Sequence, residues 1–375
     1  MSKSEISHRT LIWTGIRLRI LLASVAYALI IATILIHRPE SMETTCFILV
    51  YGLTVFPGCF NSVRNYFTSQ LLNRRIVQSE IIRTVICALL KIALLYFKAS
   101  LFWFILASAL DIFIVSIGYY LSLRSHNEEL CISSSDSKTM RYLLIEAFPL
   151  MLSSSAIVIY QKIDQVMIGD MIDKTSVGYF ATAGRFADLV VFIPIILCQT
   201  MTPILVNAKS TDSTSQYYSH SKAFISIILW SSIIFAFIMS ITSTILIKYT
   251  FGTAYLASIP ILQIMSWKAV GTAMSTASGQ LIIIDRTQKW VAIRNLIGCV
   301  VCIILNLLII PVYGAVGSAI VTVVTVMFSG LIANAIIPKY RKYFMLQVKA
   351  FISGPIDLFK IKSIYQHDKF NNKTI

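Results

Sequence analysis

Long apolar runs separated by short polar stretches dominate this chain. Ten runs approach the length of about 20 residues that a helix needs to cross about 30 Å of hydrocarbon. They fall at about 18–36, 44–60, 80–97, 100–121, 143–161, 187–206, 223–246, 257–280, 293–310 and 315–337. These runs are far longer than a barrel strand and do not alternate, so helices are expected. Pro311-Val312-Tyr313-Gly314 places two helix breakers between the ninth and tenth runs and predicts a tight turn. The expected fold is an all-α polytopic membrane protein of about ten transmembrane helices.

Composition supports that reading. Of 375 residues, 57% are apolar and 13% are charged, against about a quarter charged in soluble proteins. The formal charge of +15 does not point to nucleic acid, because the basic residues sit in small clusters between apolar runs. With a cytoplasmic N-terminus, 24 of the 32 lysines and arginines fall in cytoplasmic segments. Arg38, Lys98, Lys162, Lys174 and Lys248 fall outside, and Lys91, Arg185 and Lys268 lie within helices. This bias predicts both ends inside and an even helix count. The polar loop 122–141 is the expected linker between an N-terminal lobe of four helices (1–125) and a C-terminal lobe of six (126–340). The basic cytoplasmic tail (341–375) mixes bases with Phe344, Leu346, Phe351 and Phe359. It reads either as an interfacial segment against anionic headgroups or as a frayed tail.

Chemistry-bearing motifs are sparse. Cys299-x-x-Cys302 has a redox or metal spacing but lies in an apolar helix without a second pair, so packing is the expected role. The histidines are scattered, no cleavable signal peptide is evident, and no metal or cofactor is expected. What stands out is the ionisable residues at membrane depth, which are costly unless they meet a partner or a cavity. They are Lys91, Asp111, Glu146, Asp164, Arg185, Asp188 and Lys268. Lys91 and Asp164 lie near expected interfaces and could snorkel. Asp188 follows Arg185 by three residues and could pair with it. Asp111 has nothing charged nearby in its own run and needs a partner from elsewhere or water. Gln199, Asn207, Gln263, Gln280, Asn295 and Asn306 add polar groups, each suited to joining helices. Pro149, Pro194, Pro203 and Pro260 fall within expected helices, where kinks free backbone groups toward a cavity. Arg185 and Lys268 together suit an anion such as phosphate or pyrophosphate.

The stretch from Leu143 to Pro203 carries a recognisable pattern. It runs Glu146 and Pro149, then Ile163-Asp164 with Met167-Ile168-Gly169. Val177-Gly178 and Phe180 follow, then Ala181, Ala183, Arg185 and Asp188, and finally Ile193-Pro194. This resembles the polysaccharide repeat-unit (O-antigen) flippases of the multidrug/oligosaccharidyl-lipid/polysaccharide exporter superfamily. Asn306 through Gly317 resembles that family's penultimate helix, turn and final helix. Arg64-Asn-Tyr-Phe-Thr-Ser-Gln70 is similar to its segment after the fourth helix, and Asp111 falls where it often has an acid. The family has twelve helices in two lobes of six. The first two, with the loop between them, have no counterpart here, so these ten are expected to match helices three to twelve.

The resemblance implies a flippase, not an enzyme, in the bacterial inner membrane. Its substrate would be an undecaprenyl-pyrophosphate-linked oligosaccharide that crosses through a polar cavity while the tail stays in lipid. Arg185 and Lys268 would attract the pyrophosphate, and Gln199, Gln263 and Asn306 would hydrogen-bond sugar. Glu146, Asp188, Asp111 and Asp164 would couple an ion gradient. Membrane lipids, a glycan polymerase and chain-length machinery are the implied partners, with no nucleic acid. A cation-coupled multidrug exporter is the first alternative; it would want an anionic cavity. A membrane glycan polymerase or acyltransferase is the second. It would want a large external loop or an intramembrane histidine, and this sequence provides neither.

Overall fold

The computed structural model describes residues 8–37, 42–69, 73–124, 137–211, 214–285, 287 and 290–353. Among them there is no strand. The helices are α1 (His8–His37), α2 (Met42–Gly52), α3 (Asn61–Ser69), α4 (Asn73–Tyr96), α5 (Leu101–Arg124), α6 (Ser137–Met171) and α7 (Lys174–Thr211). They continue with α8 (Thr214–Phe251), α9 (Ser258–Met265), α10 (Lys268–Ile284), α11 (Val291–Met327), α12 (Ala333–Ile336) and α13 (Arg341–Ile352). Each of the ten expected spans is helical. Six stretches are long and apolar enough to cross a membrane by themselves, including Lys174–Lys209, Ser215–Phe251 and Val291–Ile336. The others fall short for visible reasons. Helix α4 carries Glu80, Arg83 and Lys91, and the eighth run is divided into α9 of 8 residues and α10 of 17.

The tight turn expected at Pro311–Gly314 is a sharp break within α11. Pro311 stays helical, and Gly314 alone leaves the helix, at φ 59° and ψ −146°. Only a residue without Cβ enters that region without strain. The second limb then runs on through a π-helical turn at Phe328–Ile332. Pro194 and Pro203 lie inside α7 as expected. Pro260 does not kink a helix. It occupies the first turn of α9, where its missing N–H leaves no bond unmade.

The chain forms two compact units that divide between Ala147 and Phe148, inside α6. In the first, α4 and α5 form an antiparallel hairpin that turns at Lys98, which has φ 49°. Its core joins Ile16, Val63, Phe67, Ile76, Val115, Tyr119 and Leu123. In the second, α7, α8 and α10 enclose the largest core, around Phe224, Ile228, Leu229, Ala273 and Ala277. Small residues allow the closest approaches. A Cβ on Gly271 of α10 would stand 2.9 Å from the backbone of Val326 and Met327, so the two backbones lie almost in contact, as small residues permit in membrane bundles.

Helix α13 packs on α8, which argues against a frayed tail for residues 341–352. It buries Tyr343, Leu346, Gln347 and Ala350. Trp230 Nε1 donates to the Ala350 carbonyl at 3.3 Å, and the Trp230 and Phe351 rings stack at 5.9 Å. Arg341, Lys342 and Lys349 face outward. Residues 354–375 of the expected tail lie outside the described residues.

Candidate functional site

A membrane helix normally turns apolar residues toward lipid, so a polar outer stripe needs an explanation. Helix α7 has one. Arg185, Asp188, Phe192 and Gln199 follow one another at helical spacing and are all exposed. Lys268, the first residue of α10, reaches this stripe. Its Nζ donates to Asp188 Oδ1 at 2.7 Å. The Lys268 side chain is 15% exposed and that of Asp188 is 63% exposed, so the pair is open on its carboxylate side. Asp188 therefore pairs with Lys268 across helices, and the pairing expected with Arg185 is not made. The neighbour three residues away is not engaged, because Lys268 reaches Asp188 directly from α10. Gln263 is exposed on α9, which packs against α7.

Asn306 behaves differently from the other expected sugar contacts. It is fully buried, and its side chain is spent on protein. Its Nδ2 donates to Asp164 Oδ1 at 2.7 Å, and Ser318 Oγ donates to its Oδ1 at 2.9 Å. Thr322 Oγ1 donates to Asp164 Oδ2 at 2.5 Å, and Cys302 Sγ lies 3.5 Å from Asp164 Oδ1. Asp164 is 1% exposed, so it does not snorkel to an interface. Three groups from the two limbs of α11 thus surround a carboxylate supplied by α6, and Ser318 holds Asn306 from behind. All three donors are neutral, and no cationic side chain among the described residues lies within ion-pair distance of the carboxylate. A buried carboxyl met only by neutral donors can be satisfied by a proton or a bound cation.

The remaining expected acids divide. Asp111 meets Arg83 of α4, whose Nε lies 3.3 Å from its Oδ1. That is the partner from elsewhere that its own run lacked. Glu146 lies on α6, but its side chain is outside the described residues. Lys91 is half-buried on α4.

Three features escaped the sequence. Ser318 and Thr322 gave no signal, because hydroxyls in membrane helices usually bond their own backbone. Arg294, taken as a cytoplasmic charge, is 4% exposed and donates to Asn334 Oδ1 at 3.4 Å. Asp285, at the end of α10, collects three donors. Lys209 of α7, Lys342 of α13 and the Tyr343 hydroxyl all bond its carboxylate. Burial alone would raise its pKa, but these hydrogen bonds hold it down at about 2. Its signal in the sequence is an acid placed among bases, beside Arg286 and near Lys289.

The comparisons with known proteins fit this architecture. Residues 1–209 match the family described as polysaccharide biosynthesis protein, and the chain belongs to that family. A search of curated proteins finds no match. Among solved structures, the chain is similar to one titled "Lipid II flippase MurJ, inward closed conformation", with a TM-score of 0.65 and 13% identity. The similarity covers 93% of this chain and 78% of that one. At that identity it shows a shared fold.

Proposed function

We propose that this protein is a flippase that moves a lipid-linked oligosaccharide across the bacterial inner membrane by alternating access. An undecaprenyl-pyrophosphate-linked repeat unit of O-antigen or capsule is the substrate proposed. The observation that carries the reading is the exposed stripe on α7, where Arg185, Asp188 and Gln199 interrupt an apolar helix and Lys268 joins from α10. Asp188 neutralises Lys268, so Arg185 supplies the net positive charge of the stripe. A guanidinium suits pyrophosphate oxygens, which it can grip with two parallel hydrogen bonds. Membership of a polysaccharide biosynthesis family and a fold like that of a lipid II flippase support the same substrate class.

The polar headgroup would travel along this stripe while the polyprenyl chain stays in lipid, since sugar and pyrophosphate cannot enter hydrocarbon. Of the four carboxylates considered for coupling, Asp164 is favoured, because Asp188 and Asp111 already hold cationic partners. Neutral donors leave the Asp164 carboxylate to a proton or a monovalent cation. A change in occupancy would alter how α6 is tied to α11. A glycan polymerase and chain-length machinery remain the proposed partners of the product.

Arg185→Glu tests the substrate path. Cells carrying this variant should lose surface glycan while the protein stays at normal level in the membrane. Normal glycan display would overturn the assignment. Unchanged glycan together with lost drug resistance would favour the multidrug exporter.

A further inference from the structure

A groove of about 540 Å³ opens between α4 and α5 in the first unit, lined by residues of these two helices. Its lining changes character along its length. Ile82, Ile114 and Ile117 form one part, and Gln78, Ser79 and Ser122, with Leu121 among them, form the other. The register of the hairpin fixes which end is which. A Cβ on Gly118 would stand 2.8 Å from Ser79, so these two positions are level. Counting outward from that contact along antiparallel helices brings Arg74 level with Leu123, one residue from Arg124. Both arginines are exposed. Arg74, Gln78 and Ile82 recur every four residues, and Ile114, Ile117, Leu121 and Arg124 recur at three and four. Each arginine therefore extends the groove-lining stripe of its helix by one turn. Arg64 and Arg83 are engaged with Glu80 and Asp111.

An apolar trough that ends in hydroxyls and an amide, with an exposed arginine one turn further along each helix, is complementary to a phosphate-headed lipid. We propose that the α4–α5 groove binds an anionic phospholipid of the surrounding bilayer, with an acyl chain along Ile82, Ile114 and Ile117 and its phosphate between Arg74 and Arg124. The apolar walls exclude a free phosphate as a full occupant. The paired arginines give the preference for a net negative headgroup over a zwitterionic one.

The test uses the purified full chain in detergent, exchanged with phosphatidylglycerol, phosphatidylcholine or undecaprenyl phosphate, and native mass spectrometry of the retained lipid. The wild-type protein should retain phosphatidylglycerol over phosphatidylcholine. Arg74→Gln with Arg124→Gln should reduce that preference by roughly 30-fold, the effect of two basic contacts at a membrane surface. Ile117→Trp, an exposed position, should fill the trough and lower retention of both phospholipids. A photoactivatable phosphatidylglycerol should crosslink to α4 and α5 in the unmodified protein, which keeps the test valid if a variant fails to fold. Equal retention of the two phospholipids, an unchanged preference in the double variant, or crosslinks elsewhere would overturn the proposal. Preferential retention of undecaprenyl phosphate would also overturn it, by giving the groove to the transported lipid. None of these outcomes depends on transport activity.

Discussion

Asn306 donates to Asp164 across 2.7 Å, joining α11 to α6 between residues 142 positions apart. Around that bond Ser318, Thr322 and Cys302 complete a shell of neutral donors. A buried carboxylate depends on such a shell, and each missing donor leaves it less well solvated. Thr322→Val keeps the side-chain shape and removes one donor. It should destabilise the protein by about 1–3 kcal/mol, read as a lower unfolding midpoint in detergent. Asp164→Asn removes the charge and keeps the size. It should remain folded and lose any dependence of transport on an ion gradient.

The Lys268–Asp188 pair is a poor stabiliser, because its carboxylate is 63% exposed. Exchanging the two residues should change stability by less than about 1 kcal/mol. The same exchange moves the ammonium to α7, one turn from Arg185. It should therefore alter substrate binding with little effect on unfolding, which thermal melts and flipping rates measured on one preparation would separate.

Much of this fold could be read from the chain, because membrane helices announce themselves by length and hydropathy. All ten runs are helical, and the break at Gly314 is where Pro311 and Gly314 placed it. The partners of buried charges were harder. Asp111 finds Arg83, and Asp188 finds Lys268, through contacts between helices that no local spacing encodes. Asp164 lies just beyond the fifth apolar run, which places it near an interface on sequence alone. Its burial depends on α11 folding back at Gly314 to bring Ser318 and Thr322 alongside. Asn306 stands out in the sequence as a polar membrane residue suited to sugar, but its side chain is spent on Asp164 and Ser318, since sequence does not show which way a side chain points.

Asp285 ties α10 to α7 and α13 through Lys209, Lys342 and Tyr343. Its pKa falls from 3.8 to about 2 in the folded protein. A lowered folded pKa gives stability that is complete above the unfolded value and is lost as pH drops through the folded one. Unfolding midpoints should therefore be flat from neutral pH to about 5 and fall between about 4 and 2. Asp285→Asn should remove on the order of 2 kcal/mol at neutral pH and flatten that acid limb. An unchanged acid limb in the variant would contradict the assignment.

Two glycines of α10 should respond oppositely to alanine. At Gly271 the new methyl would meet the Val326 and Met327 backbone at 2.9 Å, and backbone cannot step aside. That change should cost about 1–3 kcal/mol through forced separation of the helices. At Gly279 no atom lies within 4 Å of the added Cβ, so Gly279→Ala should be neutral or stabilising by up to about 1 kcal/mol. Paired unfolding curves in one detergent check both.

Flipping in reconstituted vesicles tests the central claim most directly. Proteoliposomes would carry a fluorescent undecaprenyl-pyrophosphate oligosaccharide in one leaflet, with appearance in the other read by an impermeant glycosidase. The wild-type protein should move the lipid faster than protein-free vesicles, Arg185→Glu should not, and Asp164→Asn should abolish any acceleration by an imposed proton or sodium gradient. Movement equal to that of protein-free vesicles by a folded, unidirectionally inserted wild-type protein would contradict the account.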